Sequence, residues 1–184
     1  MNFAEYLEWY VLYIPHEVYW WGGGVFLILL LVLSVWKGWR GARWALTFLL
    51  MEYVALLMYF TVFCRRATGI HEWRLMPLWS YRAIGQGINV LMEEVAMNVA
   101  VFVPIGLLLG VILRGWPWWK VMIPGICMSI VIELLQLILM RGVCETDDVL
   151  HNTAGCMMGV FVAAGAYAAC AAEIRNYGAK DLRI

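Results

Sequence analysis

Glu133 and Gln136 sit inside a long apolar run, with Ser129 one turn ahead of them. Their spacing of i, i+4 and i+7 puts all three on one helix face, and Met140 continues the stripe. In lipid, a polar stripe must face protein or water. Asn98 stands in a second apolar run with Phe102, Pro104 and Gly106, and Asp148, Asn152, Gly155 and Gly159 share one face of a third. Arg141, Glu145, Asp147 and His151 lie between or beside these runs. A guanidinium pairs with phosphate or carboxylate, and amides and carboxyls bond hydroxyls and amides, so Asn98, Glu133, Gln136, Arg141, Asp147, Asp148 and Asn152 are candidate ligand-binding residues. A carboxylic acid shielded from water can act as general acid or base, and the candidates for that work are Glu133 and Asp148. The plain alternative for Asn98, Gln136 and Asn152 is an interhelical hydrogen-bond cluster. Asp147, Asp148 and His151 have the donor types of a divalent-cation site, but two adjacent acids before an apolar run fit a helix N-cap better, and no metal or cofactor is assigned. Glu52, mid-run elsewhere, can be carried by its apolar neighbours without a function.

The elements that must position these groups follow from composition. Of 184 residues, 64% are hydrophobic and 14% charged, against about 45–50% apolar usage in soluble domains. Too little polar surface is available to face water. Lysine and arginine total 13, as do aspartate and glutamate, so no basic excess points to nucleic acid. Five windows approach the roughly 20 apolar residues that span a bilayer: 18–36, 44–63, 95–113, 119–140 and 149–172. Tryptophans at 20, 21, 36, 39, 44, 116, 118 and 119 mark many of their ends, as an interfacial belt does. The reading is an all-α polytopic membrane helix bundle, one integral membrane domain over 1–184. Residues 1–16 carry an amphipathic spacing suited to an interfacial helix, with a plain leader into the first span as the alternative, and their acids make a cleaved signal an unsuitable reading.

Five spans place residues 1–17, the 64–94 loop and residues 141–148 on one side of the membrane. That side holds Arg65, Arg66, Arg74, Arg82 and Arg141, whereas Lys37, Arg40, Arg43, Arg114, Lys120, Arg175, Lys180 and Arg183 fall on the other. The positive-inside rule makes the second side cytoplasmic, with the N-terminus extracytoplasmic and the C-terminus cytoplasmic. Asn98, Glu133, Gln136, Arg141, Glu145, Asp147, Asp148, His151 and Asn152 then share one depth near the extracytoplasmic side. The 64–94 loop is too long for a minimal connection, and Leu75-Met76-Pro77-Leu78-Trp79 at its centre suggests a re-entrant or interfacial segment. Cys64 and Cys144 both fall on the oxidising side, where they could form a disulfide.

The order and spacing of three stretches resemble the VanZ-like family: Asn98 to Gly106 (NVAVFVPIG), Ser129 to Gln136 (SIVIELLQ) and Arg141 to Gly155 (RGVCETDDVLHNTAG), with Leu75 to Leu78 similar to a weaker upstream motif. The resemblance spans roughly residues 50–165. It implies a multi-pass cell-membrane protein of a group associated with lowered susceptibility to teicoplanin-type glycopeptide antibiotics. The expectation is binding or remodelling of an envelope membrane lipid or lipid-linked cell-wall precursor through an extracytoplasmic-facing polar pocket. The other reading is an intramembrane hydrolase or transferase acting on a lipid head group, with Glu133 as acid or base.

Overall fold

The computed structural model of the protein describes residues 39–181. The expected interfacial helix at 1–16 and first span at 18–36 lie outside them. The chain divides into two compact units, Met1–Glu52 and Tyr53–Ile184. In the first, helix α1 (Trp39–Met58) begins, Trp44 and Met51 are exposed, and the Thr47 hydroxyl donates to the Arg43 carbonyl at 2.8 Å. Glu52 is half-buried there.

The second unit carries the rest. A π-helical turn (Tyr59–Phe63) follows α1, then strand β1 (Glu72–Arg74), short helix α2 (Trp79–Gly85), helices α3 (Val90–Ile112) and α4 (Trp118–Ile138), strand β2 (Val143–Glu145) and helix α5 (Thr146–Asp181). Among the described residues four helices are long and apolar enough to span a bilayer: Ala42–Phe63, Val90–Ile112, Trp118–Ile138 and Thr146–Arg175. The chain is a multi-pass membrane helix bundle. Their outward faces, with Leu107, Val131, Leu134, Met158 and Phe161, are exposed and suit lipid, while Phe102, Ile105, Ile132, Cys156 and Val160 are buried between helices.

Helices α3 and α5 form the main interface. Their backbones approach so closely that a Cβ on Gly155 would collide with the Val99 carbonyl oxygen, and one on Gly159 with that of Val103. Small residues allow this approach where lipid supplies no hydrophobic drive for association. Pro104 and Pro124 lie within α3 and α4, a placement membrane helices tolerate.

Helix α4 ends two residues earlier than its apolar run suggests. Met140 takes a left-handed conformation (φ 54°), and Arg141 N–H and Met140 N–H donate to the Gln136 and Leu137 carbonyls at 2.8 and 3.2 Å. This is a Schellman cap with methionine at a position that favours glycine. The Thr68 N–H and hydroxyl both donate to the Met140 carbonyl, at 2.7 and 3.1 Å, and His71 Nδ1 donates to the Leu137 carbonyl at 2.7 Å. The 64–94 loop is thereby tied to the end of α4. It also carries a strand: β1 pairs in parallel with β2, Glu72 opposite Val143, Trp73 opposite Cys144 and Arg74 opposite Glu145. Cys144 lies opposite Trp73 in the register, and the disulfide open to it with Cys64 is not formed; Cys64 and Cys144 are both free thiols.

Candidate functional site

Strand β2 and the first turn of α5 hold a roof of loop residues over the bundle. Helix α2 starts at left-handed Leu78 and has no cap of its own. Asp147 supplies one from α5: one carboxylate oxygen accepts the Leu78 N–H, and the other accepts the Ser80 N–H at 2.9 Å and the Ser80 hydroxyl at 2.6 Å. A carboxylate at a helix start satisfies orphan N–H groups and meets the positive end of the dipole. Glu145 accepts from Arg74 Nη1 at 3.0 Å and Trp79 Nε1 at 2.9 Å, while the Arg74 guanidinium lies 4.4 Å from the Trp79 ring centroid. Burial raises the Glu145 carboxyl above its ordinary value, and Arg74 and the Trp79 indole pull it back. The Cys144 thiol is pushed up by burial first and then by the charges of Glu133, Asp148 and Glu145.

The Glu145 N–H donates to Glu133 Oε2 at 2.8 Å, which joins the roof to the membrane interior. Beneath lies a cavity of about 20 Å³. Glu133 and Gln136 from α4, Asn98 from α3, and Asp148 and Asn152 from α5 supply polar lining, over an apolar floor of Leu57, Val101, Phe102 and Ile132. Thr61 and Arg65, at and just beyond the π-helical turn, complete it, and Arg65 is the exposed member. Arg65 lies within electrostatic range of both carboxyls.

Two buried amides line this space with an oxygen unpaired. Gln136 Nε2 donates to the Thr61 carbonyl at 3.0 Å and Asn152 Nδ2 to the Ser129 hydroxyl at 2.9 Å, which leaves Gln136 Oε1 and Asn152 Oδ1 buried without a partner. Both residues are more than nine-tenths buried, at 3% and 4% exposure. An unpaired buried carbonyl costs about 1–3 kcal/mol, so the arrangement asks for a donor from outside the chain. Gly142 keeps the approach open: a Cβ there would lie 3.0 Å from Arg65 Nη1 and 3.1 Å from Gln136 Oε1.

The sequence model of the VanZ/LLP1 family matches residues 48–167, which take in the roof, the cavity and all three polar stretches. The chain belongs to the VanZ-like family. It is a family of membrane proteins linked in general to glycopeptide resistance. No curated protein and no solved structure matches the chain. The VanZ-like stretches divide between two structural tasks. Asn98, Glu133, Gln136, Asp148 and Asn152 converge on the cavity, as their shared depth predicts. Arg141 and Asp147 do not line it. Arg141 Nη1 donates to the Phe63 and Arg65 carbonyls, the latter at 3.1 Å, closing the end of the first described span, and Asp147 is spent on α2.

Asp147 therefore caps a helix other than its own, and His151 Nε2 sits 3.1 Å from the Tyr81 hydroxyl. Among the described residues no group of three His, Cys, Asp or Glu side chains is disposed to hold a metal. Sequence reasoning missed Arg65 and Thr61 in the cavity and Arg74, Trp79 and Ser80 in the roof. An arginine pair at a span end reads as an interfacial anchor, so Arg65 carried no separate signal.

Proposed function

We propose that this VanZ-like protein binds the head group of an envelope lipid or lipid-linked cell-wall precursor in the roofed cavity, and that this binding underlies a role in glycopeptide (teicoplanin-type) resistance. The observation that carries the reading is the pair of orphaned amide oxygens on a cavity that also presents Glu133 and Asp148. A purely structural hydrogen-bond cluster would close its own acceptors or hold a buried water on them. About 20 Å³ admits a single water-sized group, so the rest of a head group would lie towards Arg65, with its tail along the apolar outer faces of the helices. The lysine and arginine distribution favours an extracytoplasmic cavity.

Glu133→Gln and Asp148→Asn keep size and remove the ionisable carboxyl. Each should weaken lipid retention about tenfold to a hundredfold, the worth of a hydrogen bond to a charged group, and raise teicoplanin susceptibility at unchanged expression and melting temperature. Leu134→Ala, on the lipid face, should be silent. Activity that falls only in step with melting temperature would remove the site. The second reading, an intramembrane hydrolase or transferase with Glu133 as acid or base, draws support from Asp148 on the same cavity, since paired carboxyls can divide acid and base roles. Turnover of the copurified molecule would favour it; retention unchanged would favour binding.

A further inference from the structure

We infer that the turn joining β1 to α2 is inserted in the bilayer, with Trp73, Leu75, Met76 and Leu78 packed against acyl chains of the leaflet on the cavity's side. The insertion does not depend on what the cavity binds. Its depth can be read from α4. The 21 residues of that helix rise about 31 Å, which matches a hydrocarbon core of about 30 Å and leaves no surplus. Exposed Trp116, Trp118 and Trp119 mark the interface at its start, so Ile138, exposed like Leu139, stands at the opposite edge of the hydrocarbon. His71 Nδ1 bonds the Leu137 carbonyl at that edge, and from there the chain turns inward. The Glu145 N–H reaches Glu133, which lies about 7.5 Å back along α4 from Ile138, and Arg74 is opposite Glu145 in the parallel pair. Strand β1 thus descends from the edge to the depth of Glu133, and Leu75 and Met76 follow it.

The side chains and the backbone of this turn both suit that depth. Trp73, Leu75, Met76 and Leu78 are each more than half exposed, a contiguous apolar set that water-facing surfaces rarely carry. The patch also continues the lipid-facing end of α4, where Ile138 and Leu139 are exposed. Irregular backbone is tolerated at membrane depth only where its polar groups are satisfied. Strand β1 is paired with β2, Pro77 has no N–H, and the Asp147 carboxylate takes the N–H groups of Leu78 and Ser80. Two cations flank the tip. Arg74 is paired with Glu145, Arg82 Nη1 lies 3.1 Å from Met76 Sδ, and the stems of both can carry their charge towards the phosphate level.

The test places a nitroxide on the full-length protein in phosphatidylcholine nanodiscs. Leu75→Cys and Met76→Cys are labelled one at a time, with Cys64, Cys127, Cys144 and Cys170 replaced by serine and buried Cys156 left in place. Ile138→Cys on the lipid face and Gln86→Cys in the exposed turn after α2 are the lipid and water references. Collisions with oxygen, which concentrates in lipid, and with a water-soluble nickel chelate report the depth. Labels at 75 and 76 should behave as the label at 138 does, with oxygen collisions raised and chelate collisions lost relative to 86. The unmodified protein is also photolabelled with a phosphatidylcholine that carries a diazirine on its acyl chain, and adducts should map to residues 73–78 as they do to the end of α4. If the labelled variants do not fold, this adduct pattern decides alone. Chelate access at 75 and 76 equal to that at 86, or an absence of acyl adducts from 73–78, would put the turn in water and overturn the insertion. Shielding of both labels from oxygen and chelate alike would mean that protein covers the turn, and would overturn it as well.

Discussion

Glu145 holds the roof with a carboxyl that burial works against. A carboxyl raised in the folded state gives stability that is complete below its unfolded value, near pH 4.3, and lost as pH rises through the folded value. Arg74 opposes that loss, so Arg74→Ala should cost little at about pH 4 and about 0.5–1 kcal/mol at pH 8, the modest figure reflecting a guanidinium side chain 48% exposed. Thermal unfolding at the two pH values checks this; equal costs would mean that Arg74 acts by stacking on Trp79. Single residues differ in how far sequence exposes their work. Glu133, Gln136 and Asn152 were legible because a polar group in an apolar helix must face something other than lipid. Asp147 and Asp148 were not separable, since neighbours on a helix point about 100° apart and only the fold tells which direction is roof and which is cavity.

At the scale of elements, α3 and α5 depend on glycine where their backbones touch. Gly155→Ala should cost about 1–3 kcal/mol through overpacking against Val99, while Gly165→Ala, with open space around it, should be neutral or gain up to about 1 kcal/mol from helix propensity. Melting temperatures of the two variants decide it, and equal behaviour would mean that the contact yields. The spanning helices were legible from length and hydropathy. Strands β1 and β2 were not: three residues cannot display a period of two, and each is held by a partner some 70 positions away. The arginine at 141 was misplaced for a related reason, since a cation at a helix end serves main-chain carbonyls and ligands equally well in sequence.

For the whole molecule, orientation decides which compartment the cavity serves. Cys64 is exposed and Cys144 is half-buried with its thiol held protonated by burial and three acidic neighbours. With Cys64 as the sole cysteine, an impermeant maleimide should label intact cells, and with Cys144 as the sole cysteine labelling should be much slower. Labelling of Cys64 only after permeabilisation would put the cavity on the cytoplasmic side.

The pairing of β1 with β2 also sets a timetable. Glu72 meets Val143, and Leu78 and Ser80 meet Asp147, so the segment carrying β1 and α2 is synthesised well before anything it can bind. At about 5–20 residues per second the ribosome needs several seconds to supply the missing partner. During that interval α3 and α4 can enter the bilayer while Trp73, Leu75 and Met76 wait at its surface. A nascent chain halted before α5 would have most of its membrane helices and no closed chamber, which makes arrival of the last helix the event that completes the cavity.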